Sequence, residues 1–103
     1  MIHHFDKSKA SKVLEISKVL SVVLIERLAQ ESIRGRTEDA KNIFLIDGNG
    51  SVIWQVSSDF DSDGGPYTNI FYSDGRLQGY RWDGGIYDID LESGVAVPNL
   101  FLR

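Results

Sequence analysis

The sequence predicts an all-β fold, an antiparallel meander of short strands in a single domain, residues 1–103. Two observations predict it. From Asn42 onward short apolar runs are separated by turns rich in Gly and Asp. Within those runs apolar residues recur at every second position, the period of a strand with one covered face. A chain of 103 residues suits one domain and needs no metal or disulfide staple to fold.

The N-terminal third is ambiguous. Val13, Ile16, Leu20, Val23 and Leu24 have helical spacing, so residues 12–28 can be drawn as a helix. The same stretch is rich in β-branched residues (Val13, Ile16, Val19, Val22, Val23, Ile25) and no capping box stands at Ser8 or Ser11. Strands near 12–16 and 19–25 are therefore expected. The following segment, 26–34, holds good helix formers with Gly35 in a stop position and reads as a short helix or a polar loop.

Next come strands at 42–46 and 51–56 around Asp47-Gly48-Asn49-Gly50, a strong hairpin signal. Strands at 67–72 and 76–82 flank Ser73-Asp74-Gly75, Asp83-Gly84-Gly85 leads into 86–90, and Glu92-Ser93-Gly94 turns into 95–97. Pro98, with no N–H to offer a ladder, is expected to end that last strand. Alternation places Val52, Trp54 and Val56 on one face, with Trp54 in the core. It places Tyr87, Ile89 and Leu91 together, with Asp88 and Asp90 toward solvent. Residues 43–46 are apolar on both faces and read as a central strand whose second face the N-terminal third covers.

Several function classes are disfavoured. With no Cys there is no disulfide and no thiolate chemistry. The longest nearly apolar run, 19–25, is far shorter than the ~20 residues of a membrane-spanning helix, so no membrane partner is expected. Lys7, Lys9, Lys12 and Lys18 imitate the start of a signal peptide, but Glu15 interrupts them, Glu26 and Arg27 close the apolar stretch, and no small-residue cleavage site follows. A cytoplasmic address is expected.

Charge divides along the chain. Residues 1–36 carry seven Lys/Arg against four acids, a net of +3, whereas residues 37–103 carry four against eleven, a net of −7. The acidic part repels phosphate backbones, which speaks against nucleic acid and for a basic partner, unless it serves only solubility.

Asp59-Phe60-Asp61-Ser62-Asp63-Gly64 matches the start of a calcium loop, but Ile70 stands where the bidentate Glu is required and the flanks read as strands. A hydrated acidic turn is expected, with no metal and no cofactor. Its three aspartates are the densest like-charge cluster in the chain, which a basic partner would relieve. His3 and His4 lack a spaced partner, and no nucleophile elbow or phosphate-binding glycine loop occurs. No enzyme is expected. Gln78, Tyr80 and Trp82 share a strand face, and Tyr80, Trp82 and Asp83 have the composition of a binding hot spot; a Trp closing the sheet end is the alternative.

The segments 42–56 (NIFLIDGNGSVIWQV), 66–70 (PYTNI), 80–84 (YRWDG) and 87–94 (YDIDLESG) resemble small bacterial single-domain β proteins shaped like one blade of a β-propeller. Such proteins occur as immunity proteins in contact-dependent growth inhibition and related polymorphic toxin systems. The resemblance implies a cytoplasmic protein that binds a cognate toxin domain, often a ribonuclease, and fills its basic cleft. Asp59, Asp61 and Asp63 would then steer the encounter, and Tyr80, Trp82 and Asp83 would anchor it. The alternative is a small cytoplasmic β module that binds a non-toxin protein.

Overall fold

The computed structural model describes residues 10–25, 41–58, 65–81 and 84–99. It contains eight strands: β1 (Lys12–Glu15), β2 (Leu20–Leu24), β3 (Ile43–Asp47), β4 (Val52–Gln55), β5 (Tyr67–Ser73), β6 (Arg76–Arg81), β7 (Ile86–Ile89) and β8 (Ala96–Pro98). The described residues include no helix, so the strand reading of the N-terminal third is correct; segment 26–34 lies outside them. No described helix is long and apolar enough to cross a membrane.

The strands form the expected all-β antiparallel meander, divided into two four-stranded sheets, β1-β2-β3-β4 and β5-β6-β7-β8. Their inner faces share one core. Val22, Leu24, Ile43, Leu45, Trp54 and Val56 of the first half pack with Tyr67, Ile70, Leu77, Tyr87, Ile89 and Ala96 of the second. Two layers follow because one short-stranded sheet cannot bury its apolar face alone.

The second face of β3 is buried as well, with Ala10 and Ile25 of the N-terminal third packed against it. Phe44 and Ile46 are buried in a smaller cluster with Val23, flanked by Ala10, Ile25 and Val52. Within the sheet β2 pairs beside β3, from Leu20↔Asp47 to Leu24↔Ile43. Val52 belongs to this cluster because a bulge interrupts the β3–β4 ladder. Leu45 pairs with Trp54 but Ile46 pairs with Val52, so Ile53 is skipped. The extra residue flips the parity, and Val52 faces away from Trp54 instead of sharing its side.

Turn chemistry explains the hairpins. Asp74 (φ 54°) and Gly75 (φ 77°) both adopt positive φ between Ser73 and Arg76, the conformation a two-residue hairpin of this twist requires. At the 47–51 turn the Asp47 carboxylate Oδ1 accepts from the backbone N–H of Asn49 and of Ser51, each at 2.9 Å. Asp90 does likewise for the 90–95 turn, accepting from Glu92 N–H and the Ser93 hydroxyl.

Side chains close the strand edges. The Asn42 amide donates to Tyr67 O at 2.8 Å and accepts from Tyr67 N–H at 2.9 Å, imitating a neighbouring strand at the start of β5. Farther along, Lys12 Nζ donates to Ile70 O at 2.9 Å and to Asn69 Oδ1 at 2.8 Å, joining β1 to β5. On the opposite seam a parallel bridge, Ser57↔Val95, links the two sheets. Pro98 is the last residue of β8, so the strand ends there as expected. Asn99 N–H bonds to Ile86 O, so the alternation turns the ring nitrogen of Pro98 away from β7, where no donor is needed.

Gly94 lies flat against Trp54. A Cβ there would stand 2.6 Å from Trp54 Cδ2 and Cε3, and the backbone has φ +79°. Gly94→Ala is expected to cost about 2–4 kcal/mol through left-handed strain and displacement of the indole. Urea unfolding reads this directly, and an unchanged midpoint would refute it.

Candidate functional site

The second sheet presents one face to the core and the other outward. β6 shows the division residue by residue: Leu77, Gly79 and Arg81 are buried, whereas Arg76, Gln78 and Tyr80 are not. Register sets their outer-face neighbours. Phe71 pairs with Gln78 and Asn69 with Tyr80 across β5–β6; Gln78 pairs with Asp88 and Tyr80 with Ile86 across β6–β7; Asp88 pairs with Val97 across β7–β8. A continuous cross-strand row, Phe71–Gln78–Asp88–Val97, therefore spans the sheet. Tyr80 lies diagonally beside Phe71.

Large apolar side chains are unusually exposed on this face: Phe71 at 45%, Tyr80 at 40% and Val97 at 53%. An antiparallel sheet with one covered face ordinarily turns polar residues outward, so such a strip is a feature of binding surfaces. Polar groups between these residues are fixed. Asp88 Oδ1 accepts from Gln78 Nε2 at 2.8 Å and from Arg76 Nη2 at 3.4 Å, and Oδ2 accepts from Asn99 Nδ2 at 3.2 Å. Lys12 Nζ stands 5.1 Å from the Phe71 ring centroid. Two shallow depressions flank Arg76. One, of about 220 Å³, is lined by Phe71, Ser73, Asp74, Arg76 and Gln78. The other, of about 270 Å³, is lined by Gly75, Arg76, Leu77 and residues 88–91.

Of the residues nominated from sequence, Tyr80 is described, and it shares the outward face with Gln78 as alternation required. Trp82 and Asp83, like Asp59, Asp61 and Asp63, lie outside the described residues. On either side of those positions, Arg81 N–H donates to Gly85 O at 2.8 Å and Gly84 N–H to Arg81 O at 2.9 Å. Phe71, Asp88 and Val97 were not nominated, although the register makes them neighbours of the Tyr80 strand. Among the described residues no group of three or more His, Cys, Asp or Glu is placed to hold a metal ion.

A family model described as a domain of unknown function (DUF7957) matches residues 5–100, so the chain belongs to that family. No curated protein and no solved structure matches the chain.

Proposed function

We propose that this member of the DUF7957 family is an immunity protein. It binds a cognate toxin domain, a basic ribonuclease, in the cytoplasm of the protected cell and covers its active cleft, with no chemistry of its own. The observation that supports this reading is the outward face of β5–β8, where Tyr80, Phe71 and Val97 are exposed around a fixed carboxylate. Exposed aromatics supply contact area at low entropic cost. The net charge of −7 over residues 37–103 favours encounter with a cationic cleft and disfavours nucleic acid.

Two groups of residues then act on different rate constants. Replacing Asp59, Asp61 and Asp63 with Asn is expected to slow association and flatten its salt dependence, with dissociation nearly unchanged. Trp82→Ala is expected to accelerate dissociation and cost at least about 2 kcal/mol of affinity, and Tyr80→Ala and Asp83→Asn are expected to weaken binding through the same rate. Surface plasmon resonance separates the two effects. Co-expression decides the reading as a whole: cells producing the cognate toxin domain are expected to survive only when this protein is present. Equal killing with and without it defeats the proposal.

A further inference from the structure

We infer that Asp88 is the docking point for a guanidinium of a basic protein partner, seated on the outward face of β5–β8. The inference rests on that face being a protein-binding surface, and it holds for any basic protein, toxin or not.

Asp88 occupies an inner position of the cross-strand row, with Gln78 on one side and Val97 on the other. Gln78 and Asn99 hold one oxygen each, which fixes the plane of the carboxylate before any partner arrives. Its one cationic neighbour among the described residues is held loosely. Arg76 Nη2 lies 3.4 Å from Oδ1, beyond the usual range of a charge-assisted bond, and its side chain is 64% exposed. Surface pairs of this kind contribute little, so an incoming cation can displace it. The surroundings suit arginine: a planar fork pairs with a fixed carboxylate, and its flat faces stack on aromatic rings such as Tyr80 and Phe71. Phe71 already carries a cation over its ring, the ammonium of Lys12. The depressions on either side of Arg76, lined partly by Asp74, Asp88 and Asp90, leave room for the side chains that flank the incoming arginine.

Charge selects among occupants. Asp74, Asp88, Asp90 and Glu92 gather at the end of the sheet where the 73–76 and 90–95 turns lie, with Arg76 the exposed base among the described residues there. A second copy would bring these acids against one another, and a nucleic acid would bring phosphates against them. A basic protein surface relieves both.

The test is a titration of the full chain with N-acetylated tetra-arginine amide at low salt, followed by amide chemical shifts. Saturable shifts are expected at Gln78, Asp88 and Val97. Asp88→Asn is expected to weaken binding about tenfold. Glu15→Gln, which removes an equal charge from an exposed position of β1, should leave it within about twofold. Arg76→Gln should tighten binding severalfold by removing the resident cation. Phe71→Ser, at an exposed position, should weaken binding without lowering the melting temperature, which keeps the test valid if Asp88→Asn disturbs the fold. Equal effects of Asp88→Asn and Glu15→Gln, or weaker binding by Arg76→Gln, would overturn the inference. Protection by Asp88→Asn as strong as by the native chain in the co-expression assay overturns it while leaving the toxin reading intact. Failed protection alongside Asp88-dependent peptide binding supports it and overturns the toxin reading alone.

Discussion

Trp54→Ala is expected to remove about 3–5 kcal/mol of stability, a loss that leaves a domain with a total of about 5–15 kcal/mol close to unfolding. The indole is 7% exposed and sits in the core shared by both sheets. It pairs across β3–β4 with Leu45, and its Nε1–H donates to Leu91 O at 2.7 Å, so one side chain ties β4 to the 90–95 turn. Gly94 is packed against the same ring. Truncation therefore leaves a cavity and strips a carbonyl of its donor. Trp54→Phe retains most of the volume and loses chiefly the hydrogen bond, for a smaller cost of about 1–2 kcal/mol. Because the mutations alter fluorescence, urea unfolding should be followed by circular dichroism. Equal costs for Ala and Phe would show that the cavity is not the main term.

The same residue shows what was legible in the sequence. Trp54, Val56, Tyr87 and Ile89 follow strict alternation, and the structure buries all four. Val52 follows it too, yet faces the other way, because a bulge at Ile53 changes parity without leaving a mark in the hydrophobic pattern. Division into two sheets was equally hidden. The hairpin turns are local, whereas the two sheets are held together by a core drawn from both halves of the chain, Ile43 and Leu45 with Tyr67 and Ile70 among its members. Asn42 and Lys12 read as ordinary polar residues; their bonds reach Tyr67 and Ile70, 25 and 58 positions away. For the proposed binding face, parity places Tyr80 with Gln78. Its neighbours Phe71, Asp88 and Val97 required the register, which no single strand encodes.

Arg81 is the residue whose chemistry most contradicts its expected environment, and its replacement should have the second large effect. Arginine is almost never fully buried unless it is paired, and Arg81 is fully buried, on the inner face with Leu77 and Gly79. Its guanidinium carbon lies 4.4 Å from the Tyr67 ring centroid and 4.9 Å from that of Tyr87, two rings that meet edge-on at 5.8 Å and 81°. Nε–H donates to Gly65 O at 2.7 Å and an Nη1–H to Ser58 Oγ at 3.2 Å. The side chain thus joins both flanks of the 58–65 connection to β6, while its backbone bonds to Gly84 and Gly85. Arg81→Ala leaves Gly65 O without that donor and opens the space between the rings, for an expected loss of about 3–5 kcal/mol. Arg81→Lys keeps a cation near the rings but loses the Nε donor and the planar stack, so a loss of about 1–3 kcal/mol is expected. Arg81→Met keeps the stem and removes the charge, and should fall between Lys and Ala if cation–π attraction and donation to Gly65 hold the site. Chemical denaturation of the three variants ranks them. Met as stable as the native chain would reduce Arg81 to packing alone. The predicted order would make it a clamp that holds Ser58 and Gly65 to β6 between the Tyr67 and Tyr87 rings.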